Sequence, residues 1–313
     1  MTRAFVFPGQ GSQAVGMGRA LADAFPQARA VFDEVDAALS QKLSALMFDG
    51  PADELTLTAN AQPALMAVSL AAMRVLEAEA GLDLKAHAAF VAGHSLGEYS
   101  ALAAAGSLSI GDTARLLRIR GDAMQRAVPV GEGAMAALLG LEFEAAAEIA
   151  RDAAQGEVCD PANDNGGLQV VVSGTKAAVE RAVALATERG AKRAVMLTVS
   201  APFHCALMAP AAQAMREALA QVEILAPIVP LVANVTAAPV SDPESIRAAL
   251  VQQVTGTVRW RESVAFMADA GVDAFFEVGS GKVLSGLVKR IAPGATGQAI
   301  GTPEDVAKFK EML

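Results

Sequence analysis

Apolar residues recur along this chain in two patterns. Short runs such as residues 4–7 (AFVF) and 274–278 (AFFEV) are closed off by Gly, Pro or polar clusters and read as strands buried on both faces. Longer segments between them carry apolar residues three and four apart and read as helices. Residues 4–7 give the first predicted strand, ended by Pro8-Gly9. Residues 17–39 follow as helix, and Gln62-Pro63 opens another that runs to about residue 80. A strand at 88–92 and a helix at 96–105 come next, then a helix that starts at a Ser109-x-x-Asp112 capping box and runs to about Arg126.

The rhythm changes near residue 128. Predicted strands at 134–140, 168–173 and 193–199 alternate with helices at 142–154 and 176–189. A turn cluster at Asn163-Asp164-Asn165-Gly166-Gly167 leaves room for a short strand just before it. The order strand-helix-strand-strand-helix-strand is that of a ferredoxin-like subdomain, placed at 128–199. Helices at 206–221, 243–254, 260–270 and 282–291 and strands at 229–233 and 274–278 then resume the first unit. The expected architecture is α/β: a large domain over 1–127 and 200–313 with a mainly parallel sheet, and the small unit inserted into it.

Composition narrows the function classes. A chain of 313 residues exceeds most single cores, which agrees with an insertion. With 53% hydrophobic and 19% charged residues it has ample core, so disorder is excluded. A net charge of −9 argues against general nucleic-acid binding. No apolar run reaches the length of a membrane span, and the apolar stretch near Met1 is too short for a signal peptide. The two cysteines form no CxxC, and His87, His94 and His204 make no zinc motif. The expectation is a cytoplasmic protein with no metal and no cofactor.

Gly93-His94-Ser95-Leu96-Gly97 is a G-x-S-x-G sequence between a predicted strand and a predicted helix, the setting of a nucleophile elbow. There the backbone turns sharply to present Ser95, and the Leu96 N–H and the new helix terminus favour negative charge. A plain glycine-rich turn is the competing reading. A serine nucleophile needs a base. His94 is adjacent and its side chain should diverge, and His87 sits in a polar stretch. By elimination the base is His204, in the loop Ser200-Ala201-Pro202-Phe203-His204-Cys205. No acidic residue near it offers a third triad member, so a backbone carbonyl or an amide could orient the ring. The loop of residues 7–13 could supply a second oxyanion donor. Gly9-x-Gly11-x-x-Ala14 also fits a permissive dinucleotide fingerprint, but the required acid at a second strand end is missing.

Arg120 shares a helix face with Leu116, Leu117 and Met124, and no carboxylate stands three or four residues from it. It reads either as an anion receptor for a carboxylate or as an arginine that snorkels from a core face or pairs with a distant carboxylate.

These residues together resemble the bacterial malonyl-CoA:acyl-carrier-protein transacylases. The opening FVFPGQGSQAVGMG, AQPAL at 61–65, GHSLGEYSAL at 93–102, RIRGDAMQ at 118–125 and NDNGGLQVVVSG at 163–174 carry the resemblance, followed by SAPFHCALM at 200–208, LVQQVTGTVRW at 250–260 and EVGSGKVL at 277–284. It implies an α/β-hydrolase-like large domain with a ferredoxin-like insert. It implies that Ser95 is the nucleophile and His204 the base, that Gln10 and Leu96 give the two oxyanion N–H groups, and that Arg120 pairs with the malonyl carboxylate. It further implies that the main-chain carbonyl of Gln253, seven residues before Trp260, orients the histidine. Phe203 weakly favours malonyl over methylmalonyl. The implied partners are malonyl-CoA (leaving as coenzyme A) and acyl carrier protein, with no nucleic acid and no membrane. Candidate docking cations are Lys176, Arg181, Arg189, Lys192 and Arg193, or Lys282, Lys289 and Arg290. Rival readings are a polyketide acyltransferase, a serine thioester hydrolase and a non-catalytic carrier-protein-binding scaffold.

Overall fold

The computed structural model describes Met1–Leu313. Ten strands are formed: β1 (Arg3–Phe7), β2 (Phe90–Gly93), β3 (Gly133–Leu139), β4 (Cys159–Asp164), β5 (Gln169–Thr175), β6 (Arg193–Met196), β7 (Leu231–Val232), β8 (Pro239–Val240), β9 (Ala274–Val278) and β10 (Thr296–Ile300). They make two sheets, ordered β10-β9-β1-β2-β7-β8 and β4-β5-β3-β6. The first is parallel except for the β7–β8 pair. The second is antiparallel throughout, in the ferredoxin-like order.

The apolar runs behave as sheet chemistry requires. On β1, Phe5 and Phe7 enter one core while Ala4 and Val6 enter the core on the opposite face. A strand covered on both faces needs no polar alternation. In the small sheet, Ala134, Ala136 and Leu138 pack under the helices Phe143–Ala154 and Lys176–Glu188. Met135 and Ala137 of the same strand point the other way, towards Phe203. The helix-free face of the small sheet therefore roofs the large domain. Two backbone bonds (Asp164 N to Val258 O, Val258 N to Ala162 O, both 2.9 Å) and a 2.8 Å ion pair from Arg261 to the buried Asp164 tie β4 to the large domain.

Several elements depart from the sequence reading. The helical stretch 17–39 is two helices, Arg19–Ala24 and Pro26–Leu39, separated at Phe25 because Pro26 favours an extended residue before it. The helix expected from Gln62 begins at Thr58, so Pro63 lies inside it. That first turn passes against Gly121, where a Cβ would sit 2.6 Å from Ala59 Cα, and backbone buried so closely must be hydrogen-bonded. Ser109 does cap the helix Ile110–Ala127, accepting from Asp112 N at 3.0 Å, but its hydroxyl donates to the Asp112 carboxylate, so the reciprocal half of the capping box is not made. Asn163 and Asp164, read as turn, belong to β4. Strand β10 and the helix Pro303–Lys310 have no counterpart in the sequence pattern; β10 pairs in parallel with β9, and Phe309 of the helix meets Phe5 and Phe276 edge to face.

Candidate active site

Ser95 sits where β2 ends and the helix Gly97–Ala104 begins. Its φ is +54°, the left-handed region that a serine occupies only under local constraint. The flanking glycines are required by space. A Cβ on Gly93 would lie 2.0 Å from the Gly97 carbonyl, and one on Gly97 would lie 2.2 Å from Phe7 O. The sequence pattern is thus a sterically enforced turn that lifts the hydroxyl towards the small sheet.

The structure brings His204 to it across 109 residues: Ser95 Oγ and His204 Nε2 are 2.7 Å apart. His204 Nδ1 lies 2.9 Å from the main-chain carbonyl of Gln253. A carbonyl only accepts, so Nδ1 carries the proton and Nε2 keeps the lone pair that faces the serine. Burial, helped by the positive charge of Arg120, pushes His204 down to about 3, so the ring is neutral around pH 7. His94 diverges as expected: its Nε2 meets Asn165 Oδ1 at 2.9 Å and its ring lies beside Trp260. Cys159 and Cys205 offer no rival nucleophile, because burial pushes their thiols up to about 12 and about 11.

Arg120 is 1% exposed. Its guanidinium donates to Gln62 Oε1 at 2.7 Å, Gln253 Oε1 at 2.9 Å and Ser95 Oγ at 3.0 Å, and it forms no ion pair. Only neutral oxygens hold it. Gln10 and Leu96 line the same cleft, of about 310 Å³, and neither main-chain N–H is engaged elsewhere in the chain. Met124, Met135, Leu197, Val199 and Phe203 supply its apolar walls. A second recess, lined by Gly9, Asn165, Val283, Leu287 and Arg290, shares Gln10, His94 and Asn163 with it.

The sequence reading missed three residues here. Gln62, which in the sequence opens a helix and sits in the AQPAL motif with no role of its own, holds Arg120. Asn234 accepts from Ser95 N at 2.8 Å and donates to Gly93 O at 2.7 Å, bracing the turn from both sides. Glu98, fully buried beneath it, accepts from Asn234 N at 2.9 Å, and burial pushes its carboxyl up to about 7. One faint signal pointed to Gln62 and Asn234: each is a polar residue next to an apolar run.

A family model described as the acyl transferase domain matches residues 4–293. Malonyl CoA-acyl carrier protein transacylase of Escherichia coli strain K12 is 48% identical over 309 residues, covering 99% of both chains. The chain belongs to the malonyl CoA-acyl carrier protein transacylase family. Within the family, the crystal structure of acyl-carrier-protein S-malonyltransferase from Bartonella henselae superposes with a TM-score of 0.97 at 59% identity, covering 100% of this chain and 99% of that one. A malonyl-transacylase in complex with its type II PKS acyl-carrier protein superposes with a TM-score of 0.96 at 42% identity, with full coverage of both chains. The two-part fold described above is the fold of these family members.

Proposed function

We propose that the protein moves malonyl groups from malonyl-CoA to the phosphopantetheine thiol of acyl carrier protein in fatty acid biosynthesis, through an ester on Ser95. The observation that carries this reading is Arg120, a buried cation without an ion partner, 3.0 Å from the Ser95 hydroxyl. Such a group calls for an anionic acyl chain. His204 Nε2 takes the serine proton as Ser95 Oγ attacks the thioester carbonyl. The oxyanion is held by the Gln10 and Leu96 N–H groups, each such donor worth about 3 kcal/mol. Coenzyme A leaves with the proton returned by His204, the Gln253 carbonyl keeping the ring in register. The carrier thiol then repeats the steps in reverse order, giving ping-pong kinetics. The small unit, taken as residues 128–199, closes over the acyl chain. With two free, buried cysteines and CoA-linked substrates, we place the enzyme in the cytoplasm.

The test is transfer of labelled malonyl from malonyl-CoA to purified carrier protein. Label should reach the carrier thiol far faster than water; release mainly as free malonate identifies a hydrolase, and no acyl-enzyme at all identifies a scaffold. The solved complex with a polyketide carrier favours one second reading, a polyketide acyltransferase. Running the assay with both carrier types separates the two.

A base that is already neutral sets the pH behaviour. Acylation should hold level from pH 8 to pH 5, with no fall centred near the ordinary histidine value; such a fall in the single-turnover rate would remove His204 as the low-pKa base. His204→Ala should slow acylation by about 100-fold or more. The same shift costs stability in acid. Between pH 6.5 and about 3 the unfolded chain protonates this histidine and the folded one does not, so stability from this group falls as pH drops through that window.

Of the two candidate docking clusters, the one on the small unit is partly neutralised, with Lys192 and Arg193 left unpaired. Arg181 pairs with Glu157 at 2.6 Å, Arg189 with Asp152 at 2.5 Å and Lys176 with Glu180 at 4.0 Å. Lys282, Lys289 and Arg290 have no ion partner, and Arg290 lines the second recess. Reversing Lys289 and Arg290 to glutamate should raise the KM for an acidic carrier protein by about tenfold at low salt, and added salt should shrink the difference. An unchanged KM would clear this face.

A further inference from the structure

The assigned machinery leaves out a buried polar group that touches nearly every part of it. Glu98, Asn234 and Gln253 are each fully buried. One carboxylate oxygen of Glu98 accepts both Asn234 N at 2.9 Å and Gln253 Nε2 at 3.1 Å. Asn234 in turn holds Ser95 N and Gly93 O, the two ends of the strained turn. Gln253 holds Ser95 O through Nε2 at 2.9 Å, Arg120 through Oε1 and His204 through its main-chain carbonyl. Gln253 Nε2 also lies 3.3 Å from Asn234 Oδ1, so the same segments touch directly as well as through Glu98. Three distant stretches of sequence are joined at one acceptor oxygen.

We infer that Glu98 and Asn234 are positioning residues: they fix the distance between the Ser95 turn and the Gln253 carbonyl, and so keep the Ser95 hydroxyl and the His204 ring within reach of one another. Neither lines the cleft, so neither acts on substrate. What Glu98 supplies is reach. Its other carboxylate oxygen has no partner, so an amide nitrogen could stand there without losing a bond that the carboxylate makes. The shared acceptor survives that exchange. It does not survive shortening by one methylene, which draws the oxygen away from both donors while leaving the charge in place. The alternative role, a counter-charge for Arg120, makes the opposite demand: aspartate would serve and glutamine would not.

The inference rests on Ser95 being the acylated nucleophile, and the experiment separates the two. Single-turnover labelling by malonyl-CoA is followed in the natural protein, E98Q, E98D and N234S, below each variant's unfolding temperature. If the natural protein takes no label on Ser95, the functional reading itself falls. Given that it does, E98Q should acylate within about 5-fold of it, E98D should be at least about 30-fold slower, and N234S at least about 10-fold slower, since a single hydroxyl on a shorter side chain does not reach both Ser95 N and Gly93 O, which Asn234 meets with two separate atoms. The KM for malonyl-CoA should stay within about 3-fold in all three, because Arg120 and Gln62 are untouched. E98D faster than E98Q, the two equally slow, or normal rates in all three variants would each overturn the proposal. If E98D does not fold, E98Q and N234S still decide it, for a slow E98Q or a normal N234S contradicts the shared-acceptor role.

Discussion

Ser95→Ala should abolish acyl-enzyme formation, with a loss on the order of a millionfold in turnover, the scale met when a nucleophile is removed from a preorganised site. The change is clean. Alanine occupies a φ of +54° no worse than serine does, and the turn keeps its bonds from the main chain to Asn234 and Gln253. Only the hydroxyl goes, with its contacts to His204 and Arg120. No other group steps in, because both thiols are buried and held protonated. Mass spectrometry of the peptide containing residues 93–102 after incubation with malonyl-CoA checks it. A malonyl adduct elsewhere in the variant, formed at the natural rate, would mean that the nucleophile lies outside the elbow.

Arg120→Ala should reverse the choice of acyl group. In the natural protein the guanidinium is desolvated and held by neutral oxygens, so an arriving carboxylate meets a cation whose water has already been stripped away. Truncating one member of such a buried charged pair costs about 2–5 kcal/mol, or roughly 30- to 5,000-fold in kcat/KM for malonyl-CoA. Acetyl-CoA carries no such charge and should lose far less, and it gains space. The ratio of malonyl to acetyl kcat/KM is the measurement, and an unchanged ratio would remove the carboxylate role. Arg120→Lys should recover only part of the loss, since an ammonium cannot hold Gln62, Gln253 and a carboxylate through one planar fork.

Much of this was legible in the chain because the relevant physics is local. The strand-turn-helix at Ser95 needs glycines at fixed offsets, and the two-sided burial of β1 leaves an uninterrupted apolar run over residues 4–7. Arg120 stood out because a helix face of Leu116, Leu117 and Met124 has no ordinary place for a charge. What was hidden depends on contacts between distant segments. The polar residue beside an apolar run at 234 marks a position but not its task, bracing a turn 139 residues earlier. Strand β10 carries Gly297 and Gln298 and is half-covered at the sheet edge, so its weak pattern becomes a strand only beside β9. The start of the helix at Thr58 was set by the crossing at Gly121, which no spacing within residues 58–63 reveals.

The place of β1 in the large sheet has a consequence for how the protein comes into being. Strand β1 pairs on one side with β2 and on the other with β9, made some 270 residues later. Until then one edge of β1 is open, and Phe5 and Phe7 lack part of their cover. A nascent chain or a truncated product therefore carries a complete G-x-S-x-G turn on an unfinished sheet, and that bare edge invites another copy to complete it. Synthesis stalled short of Ala274 should yield aggregates rather than a slow enzyme.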